Sequence, residues 1–244
     1  MAGVPQRLRH HLRVMTYNIR AARGTDNRFD LGRIAGVIAS YGPDVVALQE
    51  VDCRQARSGS VDQASELGAR LGMEARFASC VEDGAGRTGI ATLTRLPLIA
   101  SEQVALPFRG GSRSELRRAL MTRLVWGDPG EEIELVNTHL SVLRGERPAQ
   151  VAAIASALGT RPTVIAGDFN CTVRSGAFRT LSGGLRQAAP GARSWPSRFP
   201  IVQIDHILHH GRLDVVAAGA WTAGEARRAS DHLPVVAELA RGAG

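Results

Sequence analysis

The chain has 244 residues, 44% of them apolar and 22% charged, a balance that excludes disordered and fibrous classes and suffices for a layered domain with a true core. Its formal charge of +7 invites a polyanionic partner, yet all 30 basic residues are arginine, and arginine replacing lysine on solvated faces would give the same sum. Cys53, Cys80 and Cys171 are too scattered for a disulfide framework or a zinc site, and with no apolar stretch of signal-peptide or membrane-span length a reducing cytoplasm is the expected location.

In chain order, β-branched and apolar runs predict strands over 13–19 and 45–50. A helix is expected between them: Asp30 can cap it, Ile34, Val37 and Ile38 share a face, and Gly42-Pro43 stops it. Asp62 can cap a second helix through Leu67 to Leu71. Strands follow at 89–94, 119–126 and 133–140, then a third helix over 147–158 with Val151, Ile154, Ala155 and Leu158 at helical spacing. The last strands are expected at 163–168, 204–209 and 233–239, and the Gly-, Pro-, Ser- and Arg-rich stretch 183–200 reads as an irregular connection. This order predicts a single α/β domain over 1–244, two sheets face to face with helices outside. Gly84, Gly86 and Gly89 spell GxGxxG, but they precede a strand and open no helix, so no nucleotide fingerprint is read there.

The chemistry-bearing residues fall at strand ends. In IAGDFN, Asp168 and Asn170 stand one residue apart, which in extended chain places both on one side: a carboxylate to hold or deprotonate water beside an amide that can donate to a phosphate oxygen. An Asx turn would use the same residues. Glu50 in LQEVD is a plausible magnesium ligand or a solvated glutamate, and Asp52 is expected in the following loop. Asn18 ends MTYNIR, and His139 in NTHL is either a catalyst or a hydrogen-bonded core histidine. IDHIL and SDHLPV each hold an Asp-His pair whose members point to opposite faces if extended. The useful arrangement crosses the pairs: Asp205 fixes the tautomer of His232 and Asp231 is left to face a metal.

Taken together and in this order, MTYNIR, LQEVD, GIATLTRLP, NTHL, IAGDFN, IDHIL and SDHLPV resemble the endonuclease/exonuclease/phosphatase superfamily, with its deoxyribonuclease I-like fold, over about residues 12–239. The segment RSGSVDQASELGARLGM is similar to small bacterial metal-dependent hydrolases of that family. The resemblance implies a four-layer α/β sandwich, two mainly antiparallel sheets flanked by helices, and Mg²⁺-dependent hydrolysis of a phosphodiester by in-line attack of water, with Mn²⁺ as a substitute. It implies Glu50, Asn18 and Asp231 at the metal, Asp168 on the attacking water, Asn170 and Arg118 on phosphate, and Asp205 paired with His232. His139 would donate to the phosphate or leaving group. Ile90 departs from the pattern, standing where the family often has asparagine.

The expected partner is a phosphate-ester substrate, with nucleic acid and an anionic lipid or membrane surface as the competing larger partners and no obligate protein partner. Aromatic residues interleaved with basic ones, as single-strand binding would want, are absent. A lipid enzyme would want an exposed apolar loop near the site, and residues 194–200, SWPSRFP, are the candidate against a packed loop with buried Trp195 and Phe199. The rival class is a non-catalytic binding protein on the same fold, against which the intact Glu50, Asp168, Asn170, Asp205, Asp231 and His232 speak.

Overall fold

The computed structural model describes residues 11–84, 86–111, 114–127 and 130–242. Its elements in chain order are β1 (His11–Asn18), α1 (Leu31–Tyr41), β2 (Val45–Cys53), α2 (Gln63–Leu71), β3 (Glu74–Asp83), β4 (Gly86–Thr94), β5 (Leu98–Leu106), β6 (Arg117–Trp126), β7 (Glu131–His139), α3 (Arg147–Ala157), β8 (Thr163–Asp168), α4 (Gly176–Leu181), β9 (Arg186–Gln187), β10 (Asp205–His210), β11 (Leu213–Ala220), α5 (Ala226–Ala229) and β12 (Val235–Arg241). Local chemistry sets the helix ends. The Asp30 carboxylate accepts from Arg33 N and that of Asp62 from Ser65 N, while Gly42 and Gly72 close the same two helices in left-handed conformation. No helix among the described residues is long and apolar enough to cross a membrane.

The strands form two six-stranded sheets, β11-β12-β1-β2-β4-β3 and β5-β6-β7-β8-β10-β9. Pairing is antiparallel except at the centre of each sheet, where β1 runs parallel to β2 across α1 and β7 runs parallel to β8 across α3. All eight strands expected from sequence are present. The four that sequence patterning misses, β3, β5, β9 and β11, are the four edges. An edge strand has one unpaired side and tolerates charge and small residues, as in EARFASCVED and LDVVAAGA, so it lacks the apolar signal. The 183–200 connection accordingly contains the short edge strand β9.

Alternation along each strand sorts side chains into layers. From β1, Leu12 and Val14 face the inter-sheet core with Val45, Leu135, Val164 and Ile207, whereas Met15 and Tyr17 face outward beneath Ile34, Ile38 and Leu67 of α1 and α2. Val151 and Ile154 of α3 and Phe178 of α4 cover the outer face of the second sheet. The result is a four-layer α/β sandwich. A polar clamp crosses the inner layer: Gln49 Nε2 donates to Asn137 Oδ1 at 2.9 Å, and Asn137 Nδ2 donates to the carbonyls of Leu48 and Ala91 at 3.1 and 2.8 Å. Both side chains are fully buried, so these bonds are needed to satisfy groups that water cannot reach.

Close backbone approach also fixes the parallel β7–β8 pair. Gly167 pairs with Thr138, and a Cβ at Gly167 would lie 2.0 Å from the Thr138 carbonyl oxygen. Gly167→Ala should therefore destabilise the fold by about 3 kcal/mol through forced strand separation, read as a lower midpoint in urea unfolding. A loss under about 1 kcal/mol would mean that the two strands can part without cost.

Candidate active site

The ends of β1, β2, β7, β8 and β10 meet at one rim of the sandwich, around a cleft of about 400 Å³ lined by Glu50, Arg117, His139, Asp168, Asn170 and His232 among others. That volume lies in the range of small-molecule sites. Asp168 Oδ2 is the focus. Asn18 Nδ2 donates to it at 3.1 Å, His139 Nε2 lies 3.5 Å away and His232 Nε2 3.9 Å away. Its other oxygen accepts from Asn170 N at 2.8 Å. Burial, and then repulsion from the Asp205 carboxylate, pushes the Asp168 carboxyl up to about 7 against the opposing pull of His232.

Asn18 and Glu50 complete this group from the other sheet. Asn18 Nδ2 also donates to Glu50 Oε1 at 2.8 Å, and Asn18 Oδ1 accepts from Arg20 N. The reverse amide orientation would set an oxygen against two carboxylates, so the observed one is fixed by its partners. Asn18, expected beside a metal, thus bridges Glu50 and Asp168 through its amide nitrogen. Backbone bends aim both Glu50 and Asn170: each is left-handed, with φ of 52° and 49°, and Glu50 sits at the irregularity in β2–β4 pairing between Leu48 and Val51.

Asp205 and His232 come together across the pairs. His232 Nδ1 donates to Asp205 Oδ2 at 2.8 Å, and Ser194 Oγ donates to the same oxygen. Burial opposes charge on His232, but Asp205, then Asp168 and Asp231, outweigh it and push its pKa up to about 10. The ring is an imidazolium whose Nε2–H faces the cleft. His139 is the opposite case. Burial, then Arg117 and His232, hold its pKa well below the ordinary value. Arg117 Nη1 donates to its Nδ1 at 2.9 Å. A guanidinium can only donate, but the Asn170 amide nitrogen, which donates to the Leu140 carbonyl at 2.9 Å, stands 3.1 Å from Nε2, so both ring nitrogens of neutral His139 face donor groups.

Other expected residues lie elsewhere. Asp231, expected at a metal, is a third exposed with its Oδ2 3.7 Å from Arg20 Nε, and it is not among the residues lining the cleft. Arg118, expected on phosphate, donates from Nε to the Ser79 carbonyl, and its neighbour Arg117 reaches the cleft. Asp52, expected in a loop, continues β2, fully buried under Arg57, Ser58 and Thr88. Ser194 was not foreseen. Ile90 is buried against Ala78 and Leu120 and gives the cleft an apolar wall.

Two groups of acids could attract a cation. Asp168, Asp205 and His232 bring ligand-type atoms within 4.8 Å of one another, but there His232 already supplies a positive charge and binds Asp205. Glu50 accepts one bond, from Asn18, has no other hydrogen bond or ion pair among the described residues, and lines the cleft. A hard carboxylate oxygen facing solvent is the donor that Mg²⁺ takes while keeping several waters, so the residues present fit such an ion.

The chain matches the model of the Endonuclease/Exonuclease/phosphatase family over residues 15–232. Its sequence is 26% identical over 246 residues to Uncharacterized protein YbhP of Escherichia coli K12, covering 93% of this chain and 95% of that one. Among solved structures, an endonuclease/exonuclease/phosphatase from Beutenbergia cavernae superposes with a TM-score of 0.83 at 26% identity, covering 96% of this chain and 72% of that one. The Bacteroides thetaiotaomicron mannosyl-6-phosphatase Bt3783 does so with a TM-score of 0.75 at 20% identity, covering 93% and 99%.

His206, next to Asp205 in the chain, points away from the cleft. Its Nε2 donates to the Cys171 carbonyl, its Nδ1 accepts from Gln187, and its ring packs on Phe169 and Phe178. Burial brings its pKa down to about 4 from 6.5. The unfolded chain therefore takes up the proton first: His206 stabilises the fold above about pH 6.5, and that contribution fades as pH falls toward 4. Between about pH 7 and 5 the wild type should lose about 2 kcal/mol of unfolding free energy that His206→Gln retains. Equal losses in urea titrations of both proteins would clear His206 of the effect.

Proposed function

The chain belongs to the Endonuclease/Exonuclease/phosphatase family, a family of phosphoester hydrolases, and on that premise we propose that it is a divalent-metal-dependent phosphodiesterase using water as nucleophile. The observation that carries the reading is the convergence of Asn18, His139 and His232 on Asp168 Oδ2 inside the cleft. A carboxylate with a pKa of about 7 is matched to taking a proton from water near neutral pH.

In this reading Asp168 holds a water and accepts its proton as the oxygen attacks phosphorus, opposite the bond to the leaving oxygen. Neutral His139 donates its ring N–H to a phosphate oxygen or to the departing oxygen once Asn170, whose amide nitrogen faces its Nε2 at 3.1 Å, engages the phosphate instead, and the charge on His232 offsets the negative charge that builds on the phosphoryl group. Asn170 stands beside them as a phosphate contact. Glu50 would hold Mg²⁺, with Mn²⁺ as substitute, and the chemistry such an ion supplies is neutralisation of a phosphate oxygen. Arg117 and Ser194 are positioning residues: one holds the His139 ring through Nδ1, the other orients the Asp205 carboxylate that keeps His232 charged.

Hydrolysis of bis(p-nitrophenyl) phosphate with Mg²⁺ or Mn²⁺ tests the reading. Asp168→Asn should lower kcat/KM by about 10²- to 10⁴-fold, and chelation should abolish turnover with recovery on adding back metal. Turnover that matches in wild type and Asp168→Asn, or that survives chelation, would sink it.

A further inference from the structure

Phe199 and Ile201 are the two most exposed large hydrophobic residues among those described, at 80% and 65%, and Trp195 of the same loop is 39% exposed. Their exposure is built in. Ser194 N and Trp195 N donate to the Val202 carbonyl, while Ile201 N and Val202 N donate to that of Trp195, closing a loop that holds its apolar tip outward. The loop is also tied to the catalytic rim: Ser194 Oγ donates to Asp205, Leu233 N to the Ser194 carbonyl, and Ser197 N to the Asp231 carbonyl.

Arginines surround the tip. Arg193, Arg198 and Arg227 are exposed and form no ion pair among the described residues. Arg198 Nε donates to Thr25 Oγ1, which brings the turn carrying exposed Arg23 and Arg28 alongside. These two also lack an acidic partner among the described residues.

We propose that the 194–202 loop is a docking surface for an anionic phospholipid bilayer, seating its apolar tip among the acyl chains and its arginines on the headgroup phosphates, with the adjacent cleft opening onto a lipid phosphodiester. The match is one of charge and polarity together, since an apolar insertion flanked by guanidinium groups is what an anionic interface accepts. Stacking on a single nucleic-acid strand would use only Trp195 and Phe199 and leave Ile201, the second most exposed of the three, without a role, whereas a bilayer takes up all three. The cleft agrees, because Val81, Ile90 and exposed Val142 line it. The substrate part rests on the phosphodiesterase reading; the docking part does not.

The test is co-sedimentation with vesicles of phosphatidylcholine alone and with roughly one-third phosphatidylglycerol. Wild type should pellet with the anionic vesicles, less so at high salt, and the double variant Phe199→Ser/Ile201→Ser should bind about tenfold more weakly or worse. Both side chains are solvated, so this variant leaves the core intact. Wild type that stays in the supernatant, or a variant that binds as well as wild type, overturns the proposal, as does a variant that loses single-stranded oligonucleotide binding with vesicle binding unchanged. Hydrolysis of the soluble diester separates the two readings. Vesicle binding without diester hydrolysis would remove the catalytic reading and keep the docking surface, whereas diester hydrolysis without vesicle binding would remove only the docking surface.

Discussion

The contact between the two sheets governs the site, because neither sheet holds a complete set of functional side chains. Asn18 and Glu50 come from β1 and β2 and His232 from the approach to β12, whereas His139, Asp168 and Asp205 come from β7, β8 and β10. Only the face-to-face packing brings the halves within hydrogen-bond reach. The inner layer is apolar and could slide, since dispersion and burial have little directionality. The Gln49–Asn137 clamp removes that freedom: its amides find their partners in a single offset of one sheet against the other. At the rim the 3.1 Å bond from Asn18 to Asp168 spans the same gap, so the candidate site and the core clamp share one register.

Charge inside the rim is organised by unequal burial. Asp205 is fully buried with Oδ1 unpartnered among the described residues, and its Oδ2 carries both the Ser194 and His232 bonds. A buried carboxylate in that state favours a cation beside it, which is why His232 stays charged while His139, facing Arg117, stays neutral. Two histidines on either side of Asp168 thereby play different parts without differing in type. A metal ion held at Glu50, as proposed, would add positive charge where the cleft meets solvent, apart from the imidazolium deeper in.

Much of this was legible in the sequence, for identifiable reasons. Central strands are covered on both faces, so runs such as VVALQ and TVIAG announce themselves, and the polar residues that end them mark the rim. Edge strands answer to solvent on one side and gave no such pattern. Adjacent arginines in RRAL point to opposite faces, and nothing local says which face is the cleft; Arg117 lines it and reaches His139, while Arg118 bonds the Ser79 carbonyl. The role of Ser194 depends on a contact across 11 residues with Asp205, and the orientation of Asn18 depends on two carboxylates from different sheets. Such contacts are long-range, and residue type alone does not report them.

The parallel central pairs have a further consequence. Because β1 and β2, and likewise β7 and β8, run the same way, their functional ends open at one rim, and the connections into β2 and β8 lie at the other. His11 pairs with Ala240 at that far rim, so the first strand enters and the last strand leaves the sandwich there. The fold is polarised into a rim that carries the candidate site and a rim where β1 begins and β12 ends. Loops lengthened at that far rim would leave every residue of the candidate site in place.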